Sequence, residues 1–316
     1  MPEPLPPPNF TSGAAYPEIG RLRIALTAGD FATVRKVFAG LDTNATTIAV
    51  GTATDIGGIE AAALGREWQA DPDDALIGTL LGAHLIQAGW TIRTAALAKY
   101  VSREQFEGFR AYLCRAEQVL IDVTARHPDY VPAWAKRLTS ARGLQLGPSE
   151  LRRRYDRLAA HDPHHLPAQS SVLQKLCPKW GGSWPAVQAF VKECTDTAPP
   201  GSHNAVLVCE GHLEYMGTLG SKKKAVEYLQ DPRVRQEIYA AAERSVWHAD
   251  FTNAVGWVWV RATFACLFSL MGDHRAALTQ FTALGPYGNA SAFDYVGDGE
   301  QEFVRYRAEA YAKGAA

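Results

Sequence analysis

Three prolines constrain this chain more than any other feature. Pro128, Pro163 and Pro199 each end an amphipathic stretch and stand 35 and 36 residues apart. A proline lacks the N–H that a helix interior requires and pushes the residue before it out of the helical region, so each marks a helix boundary. Between the first two, Trp134, Leu138 and Ala141, then Leu151, Tyr155 and Leu158, recur at i, i+4 and i+7 on either side of Gly147-Pro148. That spacing draws one apolar stripe along each of two short helices. A single pair cannot bury both stripes by itself, so a chain that repeats the pair buries each hairpin against the next.

Other segments follow the same grammar. Gly29-Asp30-Phe31 before Val34, Val37 and Phe38, and Gly272-Asp273-His274 before Ala277, Leu278 and Phe281, resemble the turn between the two helices of a repeat. Ala70-Asp71-Pro72-Asp73-Asp74-Ala75 resembles a junction between repeats. The period is close to the roughly 34 residues of tetratricopeptide repeats. From Pro72 to Pro128 the step is 56 residues, too long for one repeat, and the surplus around Ile92 to Arg103 predicts an elongated hairpin at 90–126. The β-leaning run Thr46-Thr47-Ile48-Ala49-Val50 is short and flanked by helical pattern, which predicts a helix there as well. The chain therefore reads as an all-α, right-handed α-solenoid of about seven tetratricopeptide-like hairpins. Helix pairs are expected at 15–40, 44–69, 73–126, 131–160, 166–195, 203–246 and 253–284, with a last helix at 299–313. All of 15–316 reads as one domain, after a Pro-rich flexible arm at 1–14.

Composition works by exclusion. Lys+Arg 32 against Asp+Glu 33 leaves a net charge of −1, which removes the whole-chain electrostatic argument for a nucleic-acid or membrane partner. With 47% apolar residues and eight Trp, the chain has enough apolar surface to order itself. Cys114, Cys177, Cys194, Cys209 and Cys266 make an odd count without a C-x-x-C pair, and read as reduced thiols in a cytoplasm. The start, MPEPLPPPNF, carries no Lys or Arg and does not read as a secretory signal. It reads as a solvated polyproline-like arm, with docking of Pro4-x-x-Pro7 on a partner as the alternative. Val255 to Met271 is the most apolar stretch, yet Arg261 near its middle makes it a buried helix rather than a membrane span.

Trp68-Gln69-Ala70-Asp71-Pro72, Ala116 to Leu120, His127-Pro128-Asp129-Tyr130 and above all Leu176-Cys177-Pro178-Lys179-Trp180-Gly181-Gly182-Ser183 carry a resemblance. The chain resembles, over about residues 20–285, a bacterial helical family known as domain of unknown function 4034, within the tetratricopeptide-like superfamily. The resemblance implies the helical-repeat fold and no catalytic residues.

Lys179-Trp180-Gly181-Gly182-Ser183-Trp184-Pro185 can be read as an anion site, with Lys179 adding charge to exposed N–H groups. It also reads as an interhelical turn in which Gly181 ends one helix, Ser183 caps the next, and Trp180 and Trp184 fill the space between hairpins. Without the spacing of a phosphate loop, the turn is favoured. Cys209-Glu210-Gly211-His212-Leu213-Glu214 invites a metal, but Cys209 and Glu214 do not share a helix face. Cys209 instead joins Val206, Leu213 and Met216 in a core stripe, which leaves His203, Glu210 and Glu214 as a polar stripe lining a groove. His161, His164 and His165 read as solvated loop residues, and Arg152-Arg153-Arg154 with Arg157 and Lys222-Lys223-Lys224 as solvated helix faces. Arg261 shares its helix with Trp257, Val258, Trp259, Val260, Phe264, Leu267 and Phe268, and a buried charge requires a partner. Glu210 or Glu214 is the expected carboxylate; otherwise Arg261 faces the groove and clamps an acidic ligand or peptide terminus.

The chain has no G-x-S-x-G, H-E-x-x-H or G-x-G-x-x-G signature. The sequence thus points to a scaffold whose concave face binds a protein or peptide through Arg261, Glu210, Glu214, His203, Trp257 and Lys179, with no metal and no cofactor. The rival is an enzyme or small-molecule binder with a pocket in the groove.

Overall fold

The computed structural model describes residues 5–11, 13–55, 61–96 and 98–315. Every regular element among them is helical, and the one extended pairing is an isolated bridge between Asn9 and Tyr287. Where the sequence reading takes 15–316 as one domain, the backbone divides into two compact units, Tyr16–Lys175 and Leu176–Ala316, the latter joined by the residues up to Ala15.

The first unit holds α1 (Pro17–Ala28), α2 (Phe31–Phe38), α3 (Thr43–Thr54), α4 (Ala61–Ala70), α5 (Ala75–Arg93), α6 (Arg103–Arg126), α7 (Val131–Gly143), α8 (Pro148–Ala159) and most of α9 (Leu166–Leu176). Gly29 ends α1 in the left-handed conformation (φ 68°), which glycine adopts without steric penalty, and Asp30 caps α2 by accepting the Thr33 N–H at 3.0 Å. The elongated hairpin is α5 and α6, the most extensively packed pair of the unit. Their seam runs over small residues, because a Cβ at Gly82 would stand 2.6 Å from Leu120 Cγ. Among the described residues α5, and not the Val255–Met271 stretch, is the helix long and apolar enough to span a bilayer, and more than half of it is buried in the unit. The run Thr46–Val50 is helical, inside α3.

Not every expected pair is a packed hairpin. α1–α2, α5–α6 and α7–α8 are, but α3 packs on α1, α5 and α7 while α4 packs on α5. The prolines behave almost periodically. Pro128 and Pro163 each take the second position of a turn closed by the Tyr130 N–H to the His127 carbonyl (3.0 Å) and the His165 N–H to the Asp162 carbonyl (3.4 Å). Pro199 takes the first position of its turn, closed by the Ser202 N–H, and Pro200 takes the second, so the turns themselves start at 127, 162 and 199 and Pro199 is not at the position equivalent to Pro128 and Pro163.

The second unit holds α10 (Trp184–Thr197), α11 (Val206–Met216), α12 (Lys222–Tyr228), α13 (Pro232–Arg244), α14 (Trp257–Leu270), α15 (His274–Leu284) and α16 (Gly299–Lys313). Residues 203–246 thus form three helices rather than a pair. α14 and α15 repeat the Gly-Asp turn, with Gly272 left-handed (φ 75°) and Asp273 capping α15. Phe264, Phe268, Phe281, Phe293 and Phe303 are fully buried and form the core around them.

Three surface assignments are corrected. Arg154 does not sit on a solvated face: it and Arg137 flank the buried Glu117, with Arg154 at 2.8 and 2.9 Å and Arg137 at 3.4 Å from its carboxylate. Arg152, Arg153 and Arg157 remain exposed. His165 is buried and bonded to Thr47 Oγ1 at 3.0 Å, whereas His161 is exposed. The N-terminal arm is docked, not free, over residues 6–10, where the Asn9 N–H reaches the Pro286 carbonyl at 2.7 Å; Pro4 of the Pro4-x-x-Pro7 motif lies outside the described residues. In each case a long-range partner, invisible in local pattern, decides the placement.

Candidate functional site

All six candidate binding residues fall in the second unit, and the structure sorts them into two groups along α11. At its start, the 3-10 turn His203–Ala205 places the His203 ring 4.9 Å from the Phe251 ring, and His203 Nε2 donates to the Thr252 carbonyl at 3.0 Å. The Arg261 guanidinium lies over the same Phe251 ring at 4.4 Å and donates to Gln280 Oε1 at 2.9 Å. Its half-buried setting lowers its pKa through desolvation. Among the described residues no carboxylate pairs with it; a neutral amide and an aromatic ring hold it instead. Among the described residues, Nε of Arg261 and Nε2 of the fully buried Gln280 have no hydrogen-bond partner.

The other group gathers about three turns farther along α11, or roughly 16 Å at 1.5 Å per residue. Glu214 is buried, with one oxygen 2.6 Å from Lys179 Nζ and the other accepting from the Tyr295 hydroxyl at 2.5 Å. Burial, reinforced by the Glu214 charge, pushes the Tyr295 phenol well above its ordinary range. This separation explains why Glu214 does not pair with Arg261, even though α11 and α14 pack side by side. Glu210, half-buried, lies between the two groups on the same face, and its charge also raises the Tyr295 phenol.

Trp257 is buried at the first turn of α14, edge-on to Tyr287 at 6.0 Å, and serves the core. The Lys179–Pro185 segment is a turn: a 3-10 turn at Pro178–Trp180, Gly181 left-handed (φ 87°) and Ser183 capping α10 through the Ala186 N–H. Trp180 and Trp184 are half-buried rather than core residues. Lys179 nevertheless turns inward to Glu214.

Cys209 is fully buried, and desolvation raises its thiol well above the usual range, which favours the protonated thiol of a core residue. Among the described residues no three His, Cys, Asp or Glu side chains gather as a metal site. His212 lies off the stripe, buried, its pKa pushed down to about 4 by burial. Its Nε2 stands 3.1 Å from Glu237 Oε2 and its Nδ1 2.7 Å from the Tyr228 hydroxyl. A neutral imidazole satisfies both by donating to the carboxylate and accepting from the phenol.

Sequence reasoning missed Phe251, Gln280, Tyr295, Glu237 and Tyr228. None shares a helical repeat position with its partner, and the connecting segment at 251 carries no periodic signal. The chain matches no protein-family model, no curated protein and no solved structure.

Proposed function

We propose that this chain is a tetratricopeptide-like helical-repeat scaffold that binds a protein or peptide partner along the polar face of α11 and the adjoining part of α14, in a reducing cytoplasm. The packed helical hairpins α1–α2, α5–α6, α7–α8 and α14–α15, the first and last of them with Gly-Asp turns, support the architecture, and four buried thiols suit that compartment. One observation carries the binding reading: among the described residues, the Arg261 guanidinium is held by an amide and an aromatic ring, without a counter-ion. A guanidinium so placed gains most from an anionic group brought by a partner, such as an acidic side chain or a peptide carboxylate. His203, Glu210 and Lys179 on the same face then supply register.

The test uses fluorescently labelled acidic peptides and the intact protein. Arg261→Met should weaken binding at least tenfold while preserving far-UV circular dichroism, and added salt should weaken binding to the wild type more than to the variant. Equal affinity of both proteins for acidic peptides would sink the reading. A second reading, small-molecule binding or catalysis, has the Glu237, His212 and Tyr228 relay in its favour. Burial raises the Tyr228 phenol, however, which suits a fixed hydrogen-bond donor better than a proton-transfer group.

A further inference from the structure

Residues 6–10 occupy a groove in the second unit, between the 285–288 loop and α16, in the manner of a bound peptide. The Asn9 N–H donates to the Pro286 carbonyl at 2.7 Å and the Asn9 carbonyl accepts from the Gly288 N–H at 2.9 Å, a one-residue parallel bridge. Arg307 Nη1 donates to the Pro6 carbonyl at 2.7 Å while its Nη2 donates to the Gly285 carbonyl at 3.2 Å. Phe10 lies edge-on to Phe303 at 5.2 Å. A Cβ at Gly288 would approach the Phe10 ring to 2.6 Å, so only glycine lets the ring seat.

These contacts read the arm's main chain three times and a side chain once, which is how extended peptides are recognised: backbone hydrogen bonds give affinity and a contact for an aromatic side chain gives selectivity. Arg307 is buried at 5% exposure and holds backbone carbonyls, one of which belongs to the arm. Without the arm that guanidinium loses a partner in a place where water cannot fully replace it. The arm needs no helix and, with its prolines, loses little conformational entropy on docking.

We propose that this groove is a recognition site for an extended Pro-x-x-Asn-Phe segment of another protein, and that the chain's own residues 6–10 are its resident ligand in cis. The main chain at Pro6 and Asn9 and the ring of Phe10 carry the recognition, whereas Pro7 and Pro8 set the extended backbone between them. A tethered ligand competes at an effective concentration on the order of millimolar, so a partner enters only where its own segment binds more tightly or is tethered in turn. The site is independent of the α11 face. That face is tested with an acidic peptide and Arg261, this groove with an uncharged peptide and Arg307, so either reading can fail alone.

The experiment uses the full chain carrying Asn9→Pro with Phe10→Ala, which removes one backbone donor and the ring from the resident segment. A labelled, end-capped peptide Leu-Pro-Pro-Pro-Asn-Phe-Thr, the sequence of residues 5–11, should bind this variant at least tenfold more tightly than it binds the wild type. The same peptide with Ala for Phe should not bind, and adding Arg307→Met should abolish binding. Hydrogen exchange at the Gly288 amide gives a second readout: protected in the wild type, fast in the variant, protected again on peptide addition. A Gly288 amide that exchanges freely in the wild type, that stays protected in the variant, or that is not reprotected by peptide overturns the proposal. So does equal binding of the Phe and Ala peptides.

Discussion

Replacing Glu117 by Gln keeps the side-chain shape and removes one buried charge from the first unit. The carboxylate sits between two guanidinium groups whose side chains are 4% and 8% exposed, for Arg154 and Arg137. After the change Arg154 retains Glu150 at 2.7 Å and the Arg137 carbonyl at 2.6 Å. Arg137 keeps only neutral partners, the Thr124 hydroxyl at 2.8 Å and the Trp134 ring at 4.9 Å. One buried guanidinium is thus left without a counter-ion, a loss of roughly 3–5 kcal/mol. At about 2–4 °C per kcal/mol for a unit of this size, its thermal transition should fall by about 6–20 °C. Circular dichroism against temperature and urea measures it. Arg153→Met is the control, because its pair with Glu150 is about half exposed and worth under about 1 kcal/mol. Replacing Glu117, Arg137 and Arg154 together by Leu, Met and Leu should restore stability to near the wild-type value, since no buried charge then lacks a partner. If Glu117→Gln lies within 1 kcal/mol of wild type, a value set by this comparison with the roughly 3–5 kcal/mol expected, the trio does not carry the energy assigned to it.

Three further outcomes are expected. His165 and His212 are both held neutral by burial, near pKa 4, against about 6.5 in the unfolded chain. The unfolded chain therefore takes up protons first as pH falls, so stability is complete above about pH 6.5 and declines toward about pH 4, by up to roughly 3 kcal/mol per histidine. His165→Gln and His212→Gln should each flatten that decline in urea titrations at stepped pH; unchanged slopes would refute the assignment. Trp180→Ala and Trp184→Ala, at half-buried positions, should each cost about 1–2 kcal/mol rather than the 3–5 of a core Trp, as measured by urea denaturation. Glu214→Gln should lower the Tyr295 phenol titration, followed by ultraviolet absorbance, without returning it to the ordinary value, because burial is the larger cause of its shift.

Local pattern determined most of the helices. The i, i+4, i+7 stripes of Trp134 to Leu158, the Gly-Asp turns at 29–30 and 272–273, and the prolines at 128 and 163 all act through neighbours within a few residues, so they can be read without knowing what lies across the core. The last helix, Gly299–Lys313, falls where its pattern placed it. The polar stripe was legible for the same reason: His203, Glu210 and Glu214 share a face by helical geometry alone. What that stripe meets was not. Periodicity fixes the angle of a side chain about its helix but not the axial offset between two helices. Only packing, therefore, decided that Arg261 meets Phe251 and Gln280 at the His203 end while Glu214 meets Lys179 and Tyr295 at the other. Partners far apart in sequence also decided the charged and Pro-rich segments. Arg154 is buried because Glu117 from α6 waits beside it, and residues 6–10 are ordered because Arg307 and the Gly288 amide offer hydrogen bonds across nearly the whole length of the chain. Burial is a property of the assembled neighbourhood, and composition along the chain carries no record of which distant atoms complete it.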